Sequence, residues 1–228
     1  MLLVEDVLLL LTDDVTGKSA VDSTTLDIAL AGSVLLELAA RGKVDLARPG
    51  EAVKAGRVVV RDPSPTGDPL LDTAVARVQA VSARKPDSLL HQFKKGLADE
   101  VRRRLAERGI LRFDEGRVLG IFPVSRWPAA DSSHEEHVRR ALHDVLVTGR
   151  SATGEEAAII SVLLAVDKLH LVLPDTGLPR SELKHRAKVV ADSGFASEAV
   201  RKAMEAMNAA VMAAIITAAT ASAAASSS

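Results

Sequence analysis

Two short segments of this chain contain residue types that bind phosphate or metal ions in other proteins. The sequence of residues 11–20 is LTDDVTGKSA, whose GKS matches the end of a nucleotide-binding P-loop. That loop needs a glycine where this chain has Thr12, because its backbone must curl around phosphate oxygens. We therefore interpret residues 13–18 as a polar turn between two apolar segments, and not as a nucleotide site.

The second segment, HEEHVRR at residues 134–140, has the residue types of a metal site without the spacing. His134 and His137 are three positions apart, whereas the H-E-x-x-H zinc motif needs histidines four apart with the glutamate between them. The chain has no cysteine, which excludes disulfides and thiolate ligands. No nucleophile and base combination stands out, so we expect no metal, no cofactor and no enzyme activity.

Basic residues are concentrated between residues 84 and 112. This segment has nine Lys or Arg and four Asp or Glu, in a chain whose net charge is -1. Apolar residues recur at every fourth position, which predicts one helix over residues 88–108. The candidate residues for binding a lipid headgroup lie off that apolar ridge, and they are His91, Lys94, Lys95, Arg102 and Arg103.

Two interpretations of this basic helix face remain open. A basic residue near an anionic membrane contributes about 1 kcal/mol of attraction, so the face is suited to acidic headgroups. Alternatively, it is an ordinary solvated face whose cations pair with Asp99, Glu100 and Glu107.

An aromatic segment follows the basic one. The sequence ILRFDEGRVLGIF predicts a hairpin with its turn at Asp114-Glu115-Gly116. Ile121, Phe122 and Trp127, the only tryptophan, lie in or just after it. They are candidates for a membrane-insertion or oligomerisation hairpin, because aromatic rings favour the bilayer interface. A contact with the core is the alternative for Trp127, since large aromatic side chains are usually mostly buried.

The composition predicts closely packed helices. Hydrophobic residues make up 47% of the chain and aromatic residues 2%, so Leu, Val, Ile and Ala must fill the core. The net charge excludes general attraction to polyanions, and we expect no nucleic-acid partner. We expect no secretory leader, because Glu5 and Asp6 interrupt the N-terminal apolar stretch. The Ala-rich segment near the C-terminus is expected to pack inside a bundle.

Local signals place the elements. A helix over residues 26–41 ends at Gly42, KVDL and RVVVRD form a strand pair, and Pro69 begins another helix. Capping boxes at Ser132–Glu135 and Thr153–Glu156 begin two more helices. Pro179 begins a further helix, and Gly194 separates it from the last one. We expect one domain over residues 1–217 and a disordered Ala/Ser tail over residues 218–228.

Four stretches of the chain, in order, resemble the Golgi phosphoprotein 3 family. They are LLVEDVLLLLTDDVTGK, ALAGSVLLELAARGKVDL, VRRRLAERGIL and AIISVLLAVDKL, and the most specific parts are ELAARGKV, ending at Val44, and ERGIL at 107–111. The resemblance extends from Leu2 to about Thr217. It implies a mainly α fold: a single-domain helical bundle around a buried central helix, with small β-hairpins. The composition resembles that of a prokaryotic, bacterial member.

The resemblance also implies a function. Eukaryotic members are peripheral membrane proteins, not enzymes, that bind phosphatidylinositol 4-phosphate in a basic pocket, insert a hairpin into the bilayer and hold the tails of glycosyltransferases. The family's pocket tryptophan falls at Val21 or Asp22 here, and its basic residues fall at Ala31, Lys95 and Ala98. Only Lys95 keeps its charge.

We therefore expect a cytoplasmic protein, peripherally associated with the membrane, whose partner is an anionic membrane lipid. The alternative is a soluble adaptor or self-associating scaffold that binds a protein partner, or a second copy of itself as a homo-oligomer, without lipid.

Overall fold

The protein is a bundle of helices with two small antiparallel hairpins. The computed structural model describes residues 1–81, 83–118, 122–193, 208–217 and 220, without the side chains of residues 115–118, 122–125 and 193. The elements are α1 (Leu3–Leu10), α2 (Ser23–Ala40), β1 (Val44–Leu46), β2 (Val58–Val60), α3 (Pro69–Ala80), α4 (Pro86–Phe93), α5 (Leu97–Glu107), β3 (Asp114–Val118), β4 (Phe122–Arg126), α6 (Ser133–His143) with a π-helical end (Asp144–Thr148), α7 (Gly154–Ala165), α8 (Leu169–Val172), α9 (Arg180–Ser193) and α10 (Asn208–Thr217). The expected mainly α fold class is confirmed.

Helix α2 is the buried central helix. It is long and apolar enough to cross a membrane, but 78% of it is buried inside the protein, as is typical of a core helix. It packs against α1, α7, α4 and α5, and every residue of α1 is buried as well. Helix α10 approaches α2 closely at Gly32, where an added Cβ would lie 2.6 Å from a methyl group of Val211. The small residue at this position lets the Ala-rich helix pack inside the bundle, as predicted for that segment.

The prediction of one helix over residues 88–108 is wrong. Helix α4 ends at Phe93 and α5 begins at Leu97, because Gly96 adopts a left-handed φ of 76° that stops the first helix. The apolar spacing continues through the break. Every residue of this ridge is buried, namely Leu89, Phe93, Leu97, Val101 and Leu105. The periodicity therefore identified the buried side correctly, but it did not detect the turn.

The hairpin of β3 and β4 is also displaced from its predicted position. Asp114, Glu115 and Gly116 are not its turn but part of β3, opposite Arg126, Ser125 and Val124 of β4. Backbone pairing extends a ladder that begins at the bridge between Leu111 and Ala129, and this pairing overrides the local turn preference. The connection at residues 119–121, which includes Ile121, lies outside the described residues.

Most of the predicted helix boundaries are confirmed. Pro69 is the first residue of α3, Gly42 follows α2 with a φ of 69°, and Pro179 immediately precedes α9. The capping box at Thr153 is present: the Glu156 N–H donates to the Thr153 hydroxyl at 3.2 Å, and the Thr153 N–H donates to the Glu156 carboxylate at 2.8 Å. Gly194 and residues 221–228 lie outside the described residues.

Helix α6 begins directly after Ser132, as predicted, but the predicted capping box is absent. The Ser132 side chain makes no capping bond, and the Asp131 carboxylate accepts the Ser133 N–H at 2.9 Å instead. Glu135 turns into the protein and pairs with Arg139. The half-buried Arg139 therefore competes successfully for the glutamate that the local motif assigned to the helix end.

Residues 13–18 form the predicted polar turn. The Asp13 carboxylate accepts the Thr16 N–H at 2.7 Å, and the Ala129 N–H donates to the Asp14 carbonyl at 2.9 Å. Gly17 has a φ of 63°, and a Cβ added there would lie 2.4 Å from the backbone nitrogen of Trp127. The glycine of the GKS sequence therefore allows the turn to lie against the backbone of Trp127, just after β4.

We expect Gly17→Ala to destabilise the protein more than Gly50→Ala. Gly50 also has a positive φ, of 92°, but nothing lies within 4 Å of a Cβ added there. The strain of a left-handed alanine, about 1 kcal/mol, is common to both variants. The collision with the Trp127 backbone should raise the loss for Gly17→Ala to about 2–3 kcal/mol in denaturant titrations. Equal losses of stability would show that the turn can move away from the Trp127 backbone without lowering the free energy of unfolding.

Candidate functional site

The break between α4 and α5 presents two lysines at the surface. Lys94 is the half-buried residue that caps α4, and Lys95 is exposed beside Gly96. In the described part of the chain, no carboxylate oxygen lies within 4 Å of either lysine Nζ. Lys94 and Lys95 are therefore adjacent in sequence at this turn, and neither has an ion-pair partner among the described residues. Such a pair is able to meet an anion from solution.

The other predicted site residues are less available. Arg102 on α5 pairs with Asp99 at 3.2 Å, and Arg103 pairs with Glu107 at 2.6 Å. His91 is exposed on the last turn of α4. The alternative of a solvated, internally paired face therefore applies to Arg103 and in part to Arg102, whereas the two lysines remain as the accessible cations.

Two further cations of the basic segment contact acids from other elements, although Arg108 itself is 46% exposed. Arg104 contacts the Glu5 carboxylate at 3.3 Å and the Asp68 carboxylate at 2.6 Å, and Arg108 contacts Glu5 at 2.9 Å. Only 1% of the Glu5 side chain is exposed, and the same carboxylate accepts the Leu2 N–H at 2.9 Å. These charges join the start of α1 to the N-cap of α3 and the end of α5. Their role is therefore structural, and the local charge excess does not form one surface.

Asp27 on α2 is a component of the site that the sequence analysis missed. It is half-buried, and the charges of Lys94 and Arg102 act on it together with that of Asp99. Burial is the largest cause of its raised pKa, the two cations oppose the rise, and Asp99 adds to it. The available signal was a lone acid within the apolar run LDIALAGSVLL. The site therefore contains an acid among its cations.

The positions that match the family's phosphate pocket are mostly unsuited to binding phosphate. Ala31 is fully buried on α2 and Ala98 is buried on α5. The Asp22 carboxylate caps α2 by accepting the Thr25 N–H at 3.0 Å, and Val21 packs against the core. Of these positions only Lys95 offers a charged donor. Several converging donors are needed for stereospecific phosphate recognition, so the α4–α5 turn can attract an anion by charge but has few donors to orient it.

The aromatic contact at the hairpin involves a residue that was not predicted. Trp127 is partly buried against the core, and its ring centroid lies 4.7 Å from that of Phe113, which is 46% exposed. The side chain of Phe122 lies outside what the structure describes. The pair at the base of the hairpin is thus Phe113 with Trp127.

One histidine of α6, His134, pairs with a buried acid of α1. His134 Nε2 lies 2.7 Å from an Asp6 carboxylate oxygen, and burial raises the pKa of Asp6 while His134 lowers it. Among the described residues, no three His, Asp or Glu side chains are grouped as a metal site would require.

Glu135 is the most perturbed acid of this region. It is 3% exposed, and burial raises its pKa to about 8, against the opposing effect of Arg139 and with a further rise from Asp14. The carboxyl group therefore holds a proton at neutral pH where the turn at residues 13–18 meets α6.

One comparison with known proteins adds to this geometry. The family model described as Golgi phosphoprotein 3 (GPP34) matches residues 3–207, which include α1 to α9 and the α4–α5 turn. The match spans most of the chain and agrees with the observed bundle around a buried helix. The chain therefore belongs to the Golgi phosphoprotein 3 family.

Proposed function

We propose that this protein is a peripheral membrane protein that binds anionic lipid headgroups at the α4–α5 turn. The observation that carries the proposal is the pair Lys94 and Lys95, which have no carboxylate within 4 Å in the described part of a chain that belongs to a lipid-associated family. His91 and Arg102 add positive charge nearby. The proposed location is the cytoplasmic face of a membrane, and the proposed role includes no catalytic step.

The proposed recognition depends on charge density and not on a particular headgroup. Family members use several donors for phosphatidylinositol 4-phosphate, and here Ala31 and Ala98 supply none. Vesicles of equal charge should then bind equally well whether the acid is a phosphoinositide or a simple phospholipid. Selective binding to the phosphoinositide would instead require a pocket built from other residues.

The test is flotation of the full chain with vesicles of phosphatidylcholine alone or mixed with phosphatidylglycerol. We expect binding only to the acidic vesicles at low salt, and loss of binding near 1 M salt, where charges are screened within about 3 Å. Absence of binding to acidic vesicles at low salt would refute the proposal.

Neutralising both lysines should weaken this binding strongly. Two basic residues at about 1 kcal/mol each predict a loss of about 2 kcal/mol, or roughly 30-fold in affinity, for Lys94→Gln with Lys95→Gln. The matched control is Lys54→Gln with Lys188→Gln, which removes the same charge from exposed residues on other elements. Equal weakening by both pairs would show that net charge, and not the α4–α5 turn, determines the affinity.

The second candidate function is a soluble adaptor or self-associating scaffold that holds a protein partner without lipid. The partly exposed contact between Phe113 and Trp127 favours it, because paired aromatic residues are frequent at protein interfaces. Light scattering of the chain and of Phe113→Ser across a concentration series tests this candidate. A dimer that persists at high salt and dissociates in the variant would support it, and a monomer at all concentrations would count against self-association.

A further inference from the structure

A cavity of about 260 Å³ is open to solvent on one side where three helix ends meet. It lies between the start of α1, the end of α2 and the start of α7. In the described part of the chain, the α4–α5 turn contributes nothing to its lining. The volume equals that of about nine molecules of liquid water, and it is close to the lower end for small-molecule sites, about 300 Å³.

Apolar side chains form one part of the cavity wall. Leu3, Leu36 and Ala158 are buried in the core at this position, Met1 is partly buried, and Ala40 is exposed at the last residue of α2. The small side chains of the two alanines leave space that a leucine would occupy. A ligand that presents an apolar body to this wall gains by removing its own surface from water.

Two carboxylates and one guanidinium form the charged part of the wall. The Glu37 side chain is 10% exposed, and its carboxylate accepts the Leu3 N–H at 3.0 Å and a bond from the Arg41 guanidinium at 2.6 Å. These contacts fix Glu37 in position and compensate the charge of Arg41. The second carboxylate is that of Glu155, which is exposed on the first turn of α7.

Glu155 is the carboxylate at the cavity that lacks a counter-ion. The ion pair of this turn is formed by its neighbour Glu156, with Arg150 at 2.6 Å, and no cation of the described residues lies within 4 Å of Glu155. Burial raises the pKa of Glu37, Arg41 opposes the rise, and the charge of Glu155 adds to it. With two acids and one arginine in its wall, the cavity favours a cation over an anion.

We propose that this cavity binds a small organic ammonium ion. Its apolar body contacts Leu3, Leu36 and Ala158, and its ammonium group lies beside Glu155. An uncharged molecule of the same shape gains only the apolar contact, and a carboxylate is repelled by the two acids. The volume restricts the ligand to about nine non-hydrogen atoms, which is the size of a single amine and not of a peptide. This binding activity goes beyond the proposed lipid binding and uses other residues.

The experiment is an NMR titration of the isotope-labelled full chain at pH 7 with phenethylammonium, compared with phenethyl alcohol and phenylpropionate. We expect the amine to shift the backbone amides of Leu3 and Glu155 most strongly, with a dissociation constant on the order of 1 mM. The alcohol should bind about fivefold more weakly, since an exposed ion pair contributes up to about that factor, and the carboxylate more weakly still.

Three variants place the ligand in the cavity. Ala40→Leu fills part of the space from an exposed position, so it should weaken binding roughly tenfold without affecting the core. Glu155→Gln should weaken binding about fivefold. Glu136→Gln removes the same charge from an exposed residue of α6 that does not line the cavity, and it should remain within about twofold of the parent.

Four outcomes would overturn the inference. Equal or tighter binding of phenylpropionate would show that Arg41, and not the acids, selects the ligand. An unchanged affinity of Ala40→Leu would place the amine elsewhere, and equal weakening by Glu155→Gln and Glu136→Gln would reduce the effect to net charge. Absence of any amide shift at amine concentrations well above the expected constant would show that the cavity binds no such ion. Each outcome leaves the proposed function intact, because lipid binding through Lys94 and Lys95 does not involve this cavity.

Discussion

Replacing Arg104 by methionine is expected to lower the free energy of unfolding by about 3 kcal/mol, because it leaves buried carboxylates without their counter-charge. Arg104 is 21% exposed and bridges Glu5 of α1 and Asp68 at the N-cap of α3. Arg108 still compensates part of the Glu5 charge in the variant, and this places the loss at the lower end of values for broken buried pairs. The measurement is urea unfolding at neutral pH.

The adjacent residue provides a matched control. Arg103 makes an equally short contact with Glu107, at 2.6 Å, but both side chains are about 60% exposed. Solvent screens such a pair, so Arg103→Met should change the stability by less than about 1 kcal/mol. Similar losses for the two variants would show that helix propensity or side-chain packing, and not the buried charge, determines the effect.

A double-mutant cycle isolates the charge interaction. Glu5→Gln removes the negative charge that Arg104 compensates, so Arg104→Met should cost less in that background than in the parent. We expect a coupling of more than about 1 kcal/mol, since the two side chains belong to one buried network. Additive losses would mean that Glu5 and Arg104 stabilise the protein independently.

The second large effect concerns pH. Glu135 has a pKa of about 8 in the folded protein, whereas the ordinary value for an unfolded glutamate is 4.5. Between these two values the folded state holds a proton that the unfolded state has released. The contribution of Glu135 to stability is therefore complete below pH 4.5, and it is lost progressively as the pH rises to about 8.

Glu135→Gln should abolish this part of the pH dependence, because an amide does not ionise. The slope that it removes approaches about 1.4 kcal/mol per pH unit, so the variant should gain on the order of 3 kcal/mol relative to the parent between pH 5 and pH 8. The measurement is denaturant unfolding of both proteins at several pH values. Asp6, whose pKa burial also raises, contributes a residual slope that both proteins share.

Glu136→Gln is the control for this experiment. Glu136 is the exposed neighbour of Glu135 on the same turn of α6, so its stability difference from the parent should not change between pH 5 and pH 8. A constant difference for Glu135→Gln as well would show that Arg139 keeps Glu135 ionised throughout this range.

Local sequence patterns accounted for the elements whose boundaries depend on nearby residues. Thr153 and Glu156 satisfy each other's backbone N–H groups within one turn, and Pro69 can begin a helix wherever its ring occupies the first position. The capping box at Ser132 failed because the distant loop residue Asp14 and the nearby Arg139 create a buried environment for Glu135. The motif still marks the start of α6, but its capping bonds form only when no tertiary contact competes for its side chains.

The candidate site was predictable in part. The charge excess and the position of Lys95 identified the segment in which the proposed site lies. The pairing of each cation was not accessible, because Arg104 meets Glu5 across 99 positions of sequence. Spacing along one helix cannot distinguish an arginine that faces solvent from one that faces a buried acid of another helix.

The sequence by itself determined the fold class, the apolar sides of the helices and the family, since these depend on composition, periodicity and the order of short motifs. Only the tertiary structure decided that Gly96 divides the basic segment and that Arg104 and Arg108 pair with the buried Glu5. Glycine permits a left-handed turn without requiring it, and a charge pairs with whichever opposite charge the packing of distant helices brings near. These choices depend on contacts between elements, which no local pattern specifies.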